Sequence, residues 1–349
     1  MKIKSKKLKV QGAQLLAVIF CFLLFSGKAQ DVHFSQFTNA PLSLNPALTG
    51  DINGEFRLGY LYRNQWNSVS SPFISSSFFS DKKFMEEKLN GNFIGGGIVL
   101  LSDNTGSGSL SMLHLGLNAS YHHYLNKTQT QKIFGGIQIA LFQKAINPNI
   151  LVYENQFNYV DADFTGGANG ENLSNLSIVR PDIQMGAGYW YNAKKYYINS
   201  GISVAHINMP DQSFTSTKDH LAPKLIIHAD GQYNISKYLF ITPSMMFLYQ
   251  GKAKQFNIGA VVNHGFGKSL KENVYLKAGV WYRVGDAFNF LVGLNHNNWQ
   301  FNFTYDINAS NLYVASNYNG ALELSIIYTH NLFNIQKNKL RTIPCNRLF

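Results

Sequence analysis

Apolar and polar residues take turns along most of this chain. In NWQFNFTYDIN, Trp299, Phe301, Phe303, Tyr305 and Ile307 alternate with Asn298, Gln300, Asn302, Thr304, Asp306 and Asn308. Successive side chains of a strand point to opposite faces, so this segment carries one oily face and one wet one. The same period runs through Phe56, Leu58, Tyr60, Tyr62 and Trp66, with Arg57, Arg63 and Gln65 between them. It returns in Phe256, Ile258, Ala260 and Val262 against Gln255, Asn257 and Asn263, and in Leu322, Leu324, Ile326 and Tyr328 against Glu323, Ser325 and Thr329. Turn-forming pieces such as SDNTGSGS, LNKTQTQ and HNN separate these runs. The pattern predicts about fourteen strands (12–16) over residues 54–332.

Many half-polar strands suit either a soluble β-domain or a barrel in a bilayer. The predicted strands are about ten residues or longer, beyond the usual five or six of soluble sheets and enough for a tilted crossing of a membrane. Aromatic residues make up 14% of the chain, and many stand near strand ends (Tyr60, Tyr62, Trp66, Tyr189, Tyr191, Tyr196, Tyr197, Tyr328), where interfacial girdles belong. Charged residues are also 14%, against about 25% in ordinary globular domains. Glycines interrupt strands at Gly95 to Gly97, Gly186, Gly188 and Gly279, a sign of sharp bends. The expected fold is all-β: a transmembrane antiparallel β-barrel that closes because lipid leaves no solvent for free backbone edges.

Residues 1–29 stand apart. Lys2, Lys4, Lys6, Lys7 and Lys9 precede an apolar run from Leu15 to Phe25, and Gly27 and Ala29 supply the small residues of a cleavage site, so this segment reads as a secretory signal peptide. The run is too short to span a membrane as a helix, and Val18, Ile19 and Phe20 before Cys21 lack the small residues of lipoprotein processing. Removing this leader takes away six lysines and no acid, so the formal charge falls from +11 to +5. A nucleic-acid partner loses its electrostatic support. Only Cys345 then remains, which excludes an intramolecular disulfide.

Candidate chemistry is sparse. DADFTGGANGE (Asp161, Asp163, Asn169, Glu171) has oxygen ligands at alternate positions, but Asn172 stands where a calcium loop of the EF-hand type needs glutamate. His122 and His123 are neighbours in a strand and face opposite ways; they read as strand-end residues at the membrane interface. Asp182, Asp230, Arg57, Lys277, Arg283 and Glu323 fall on polar faces, inside the barrel, where opposite charges form a structural network or, less often, line a conduction path. No nucleophile elbow, zinc-ligand spacing or phosphate loop occurs, so neither an enzyme nor a cofactor is expected.

Several blocks resemble the PorP/SprF family of outer-membrane proteins attached to the type IX secretion system of Bacteroidetes. HFSQF followed by PLSLNPALTG (from His33) is similar to the family's mature start; HINMPDQSF (His206 to Phe214) is similar to its His-x-Asn-x-Pro-x-Gln-Ser-Phe block, and NQF at 155–157 to a further element. YDINASNL and NGALELSIIY resemble its closing hairpin, and IPCNRLF its Pro-Cys tail. Asn346 replaces an expected proline in that tail, and NGALEL lacks a second glycine. The resemblance implies a barrel that works with secretion and gliding machinery, presents secreted adhesins at the cell surface and touches periplasmic ring components, with outer-membrane lipid around it.

The candidate partner-binding residues follow from these blocks: His33, Phe34, Ser35, Gln36, Phe37, Asn45 and Pro46; His206, Asn208, Pro210, Gln212, Ser213 and Phe214; and the basic tail with Lys337, Lys339, Arg341, Cys345 and Arg347. An even strand count leaves both termini in the periplasm. Residues 30–53 are then a periplasmic segment or a plug, whose Phe34, Phe37, Leu42 and Leu44 pack into the barrel mouth, and 333–349 a periplasmic tail. The block at 206–214 is expected in an extracellular loop. An outer-membrane diffusion channel or hydrophobic-solute transporter is the rival reading, and a membrane-embedded hydrolase the third.

Overall fold

The computed structural model describes residues 31–68, 71–106, 110–147, 157–158, 163–164, 177–214, 217–266, 274–310 and 313–330. Fourteen strands close into one antiparallel barrel in sequence order. They are β1 (Phe56–Gln65), β2 (Phe73–Phe84), β3 (Phe93–Thr105), β4 (Leu110–Tyr124) and β5 (Gln131–Ala145). After a two-residue hairpin, β6 (Phe157–Asn158) and β7 (Asp163–Phe164), come β8 (Ser177–Asn192), β9 (Tyr196–Ala205), β10 (Lys224–Asn234), β11 (Leu239–Gln250) and β12 (Ala253–Gly265). The circuit ends with β13 (Val274–Arg283), β14 (Ala287–His296), β15 (Trp299–Asn308) and β16 (Asn319–His330). β1 closes on β16 from Phe56 opposite His330 to Gln65 opposite Ala321.

The alternation sorts side chains in the reverse sense to a water-soluble sheet. Phe256, Ile258 and Val262 of β12 are exposed, while Gln255, Asn257 and Asn263 between them are buried. Exposed Leu117, Ile139, Leu141, Ile198, Val292 and Phe301 continue the belt around the wall. An apolar surface this extensive needs lipid against it. Ten residues at about 3.4 Å each, tilted by about 40°, rise about 26 Å, which matches the apolar band of an outer-membrane barrel.

Connections at the end where β1 begins and β16 finishes are short, such as 193–195, 235–238 and 297–298; this is the near end. The far end carries the long ones, 146–176 and 206–223. Short turns on the periplasmic side and long loops outside are the rule for such barrels. The stretch SDNT, read as a turn, belongs to β3, whose last residue is Thr105. Tyr197, counted among girdle aromatics, faces inward and packs on the lumen cluster of Phe37, Leu44, Trp190 and Trp281.

Candidate functional site

The lumen is filled by the chain's own residues 31–53. Two prolines set the course of this segment. Pro41 opens a single helical turn, Pro41–Leu44, and Pro46 opens the 3-10 turn Pro46–Leu48. Proline is favoured at a first helical position because its fixed φ suits the turn and its missing N–H would have no partner there. Asn45 caps the second turn, accepting from the Ala47 N–H at 2.9 Å. Neither turn is stable alone; both are held by burial of Phe34, Ala40 and Leu42 in one apolar cluster and Phe37, Leu44, Ala47 and Leu48 in another.

The segment begins at the far mouth and ends at the near one. Asp31 meets Gln250, His206 and Lys224, all at far ends of the wall. Thr49 and Asp51 meet His122 and Lys132 at the near end. Residues 31–53, expected as a periplasmic segment or a plug, thus run through the lumen from the far mouth to the near one.

What draws it there is a buried charge cluster. Glu323 accepts from the N–H groups of Ser35 at 2.6 Å and Gln36 at 3.0 Å. Arg63, opposite Glu323 in the β1–β16 ladder, pairs with it and with Asp306 at 3.3 Å. Arg283 reaches the same Asp306 oxygen at 3.3 Å. The Ser35 hydroxyl sits at the centre, donating to Asp306 at 2.7 Å and accepting from Arg63 at 2.8 Å and Asn289 at 2.9 Å. Buried charges are tolerated only when paired and hydrogen-bonded, and here the plug backbone supplies donors that the carboxylates need.

The near end has a second tether. Lys132 is fully buried, pairs with Asp51 at 2.6 Å and lies over the rings of Trp190 and Phe93, 5.4 and 5.5 Å from their centroids. Asp81 binds Arg57 at 2.8 Å and accepts from the Gly50 N–H at 2.7 Å. His122 is wholly buried between the rings of Phe93 and Phe134, 3.0 Å from the Thr49 carbonyl. It is thus a lumen residue, not an interfacial one, because its strand position faces inward.

Two of the strand glycines read as bends, Gly95 and Gly186, mark where the plug touches the wall. A Cβ on Gly186 would lie 2.0 Å from Asn45 Oδ1, and one on Gly95 would lie 2.1 Å from the Thr49 carbonyl oxygen. Asn45 can therefore donate to the carbonyls of Ala187 and Ile202, each at 3.3 Å, and face His228 Nε2 at 3.1 Å.

At the far mouth the two sequence blocks meet. His206, just beyond β9, contacts Asp31 of the plug at 2.6 Å through Nε2 and Asp182 of β8 at 3.0 Å through Nδ1. Lys224 joins Asp31 at 2.8 Å, and His114 lies 3.6 Å from Asp182. Burial alone would lift the Asp31 carboxyl, but Lys224 and His206 hold it well below the usual carboxylate range. Burial pulls His206 down, yet its hydrogen bonds to Asp182 and Asp31 outweigh this and leave its pKa raised.

A family model described as type IX secretion system membrane protein PorP/SprF matches residues 26–328. The chain belongs to the PorP/SprF family. It is accordingly an outer-membrane protein of the type IX secretion system. No curated protein matches it by sequence. Among solved structures, the toluene transporter TbuX of Ralstonia pickettii is 8% identical over 83% of this chain and 92% of its own, with a TM-score of 0.47. The P. putida toluene transporter TodX is 8% identical over 84% and 94%, with a TM-score of 0.46. A FadL homologue of Pseudomonas aeruginosa is 9% identical over 81% and 92%, at 0.43.

The family blocks fall in two groups. Phe34, Ser35, Gln36, Phe37, Asn45 and Pro46 are buried in the lumen, with His33 half-buried beside them. In the far-end loop Asn208 donates to the Pro181 carbonyl at 2.8 Å and accepts from Ile183 N–H at 3.1 Å, extending the edge of β8 beyond the end of β9. Gln212 accepts from Lys144 at 3.0 Å, and Lys144 also lies over the Phe214 ring. Asp211 accepts from the Ser213 N–H and hydroxyl and from Asp219 N–H, which lower its pKa to about 2. Pro210 accepts from Leu221 N–H across the loop.

Lys337, Lys339, Arg341, Cys345 and Arg347 lie outside the described residues, as do residues 1–29 and most of the loop with Asp161, Asn169 and Glu171. Among the described residues no cluster suits a metal ion. Lys132, Asp51 and Asp81 were not singled out from the sequence; the signal available was their charge on inward positions of strands or in the plug itself.

Proposed function

We propose that this PorP/SprF barrel is a non-catalytic anchor that retains or presents secreted adhesins at the cell surface and joins them to periplasmic ring components of the secretion and gliding machinery. The observation that supports this reading is the filled lumen: a plug tied at both mouths by ion pairs, Asp31 with Lys224 and Asp51 with Lys132, suits a rigid scaffold better than a conduit. The ordered far-end loop 206–214 adds a shaped surface on the side where an adhesin would sit.

The test is deletion of the gene with measurement of surface adhesin and gliding, combined with a pull-down of the tagged barrel from detergent-solubilised outer membrane. Loss of surface adhesin, and its recovery with the barrel together with a periplasmic component, are the expected results. Unchanged adhesin display would sink the proposal. A stable single-channel conductance in planar bilayers would transfer support to the diffusion-channel reading.

A further inference from the structure

The plug does not occupy the lumen evenly. Beside β10 to β13 it leaves a cavity of about 300 Å³ toward the near end, lined by Trp190, Tyr197, Phe240, Thr242, Trp281 and Lys277 among others. Directly across the wall, on the lipid side, lies a groove of about 400 Å³ formed by Ile198, Ala229, Tyr233, Met245 and Ile258. Both volumes are of the size that holds small molecules. The two hollows share the same stretch of wall: Tyr197, Asp230, Gly231, Gln232, Pro243 and Ser244 line both.

That stretch is where the barrel wall is interrupted. The β10–β11 ladder pairs Asp230 with Ser244 and resumes at Tyr233 with Ile241, leaving Gly231 and Gln232 without a partner in β11. Pro243 has no N–H to give, and Gly231 has no side chain to cover the gap. Proline is excluded from the interior of a regular sheet, and irregular backbone at membrane depth persists only where it lines a cavity. A side chain at 231 would collide with the Tyr197 carbonyl oxygen at 2.6 Å, so the groove floor stays bare.

Charge indicates the occupant. Lys277 faces the cavity with no hydrogen-bond or ion-pair partner among the described residues. Among the other charges there, Arg57 is paired with Asp81 and Asp51 with Lys132, while the Asp230 carboxylate accepts from Asn199. β13 is two strands from β11, about 10 Å away at ordinary sheet spacing. An anionic head at Lys277 and an apolar chain passing over Ser244 and Pro243 into the groove would satisfy both features.

We propose that the gap between Gly231 and Pro243 is a lateral portal through which a single-chain anionic amphiphile of the periplasmic leaflet, of the fatty-acid class, binds with its head at Lys277. Trp281 reports on it, because its Nε1 donates to Ser244 at 2.8 Å on the inner lip. The full-length protein carries four tryptophans, so the Trp66→Phe/Trp299→Phe form keeps only Trp190 and Trp281, both in the cavity wall.

In nanodiscs, a stearic acid brominated at mid-chain is expected to quench this fluorescence saturably, whereas brominated phosphatidylcholine, with two chains and no net charge, is expected to quench weakly without saturation. Lys277→Met should raise the half-saturating concentration at least fivefold. Pro243→Val, which restores the N–H, and Ala229→Phe, which fills the groove from outside, should each abolish saturable quenching. The outward position of Ala229 keeps the test usable if Pro243→Val fails to fold. Equal quenching by both probes, or saturable quenching indifferent to Lys277→Met and Ala229→Phe, would overturn the proposal. Its outcome is independent of whether the barrel holds adhesins.

Discussion

Gly186→Ala should loosen the plug although the substitution lies in a strand where alanine is ordinarily the better residue. In a regular strand the change gains about 0.5–1 kcal/mol by sparing backbone entropy. Here the new methyl would stand 2.0 Å from Asn45 Oδ1 and 2.8 Å from its Cγ, so the amide must move. Moving it forfeits the bonds to Ala47 N–H and to the carbonyls of Ala187 and Ile202. At about 0.5–1.5 kcal/mol for each of the three net bonds, the loss is about 1.5–4.5 kcal/mol, and the balance after the strand gain is about 0.5–4 kcal/mol against the seated plug. That corresponds to roughly a 2- to 700-fold larger open population, at 1.4 kcal/mol per factor of ten. Hydrogen exchange of residues 42–50 in detergent-solubilised protein reads this directly. Asn45→Ala should produce a similar increase, and the double substitution should show far less than the sum, since the methyl then no longer meets the Asn45 amide and has the Ile202 carbonyl oxygen beside it at 3.2 Å. Unchanged or slower exchange in Gly186→Ala, or full additivity in the double form, would refute the close-approach argument.

Three further outcomes are expected. Glu323→Gln leaves Asp306 as the one carboxylate at Arg63 and should cost about 3 kcal/mol, toward the low end for a broken buried pair; the folded band in heat-modifiability gels should be lost at lower temperature, and no shift would count against the clamp. Lys132→Met removes the ammonium that pairs with Asp51 and should destabilise the near end, while adding Asp51→Asn should recover most of the loss in the same assay. The mouth contact of Asp31 with His206 should depend on pH. His206 has a raised folded pKa, so its contribution is complete below the unfolded value of about 6.5 and fades as pH climbs through the raised one; Asp31 is depressed, so its contribution is complete above about 3.9 and fades as pH falls through the depressed one. Exchange protection of residues 31–36, corrected for intrinsic rates, should peak between about pH 4 and 6.5, and His206→Gln should remove the alkaline decline.

The wall was readable from the sequence because a period of two is a local property: each residue of β12 or β15 announces its face through its immediate neighbours. The inward charges Arg283, Glu323 and Asp182 followed from the same count. The path of the plug was not readable, since Ser35 meets Glu323 across a sequence separation of 288 residues and the intervening turns at Pro41 and Pro46 hold only by packing. The glycines illustrate the difference. Gly95 and Gly186 were visible as anomalies in strands, but their cause is a segment that arrives from elsewhere in the chain, and no local pattern names it. His206 was legible as part of a block; its bond to Asp31 required knowing that the segment crosses the lumen.

The placement of Arg63 and Glu323 on the seam where the first and last strands meet ties closure to filling. The segment is joined directly to β1, so once the final strand has zipped alongside, it can reach the far mouth only by threading through the near one. The partners that fix Ser35 come together only when that zipping occurs. Insertion into the bilayer and internal docking should therefore be one cooperative event, and a chain arrested before its last strand should hold its leading residues loosely.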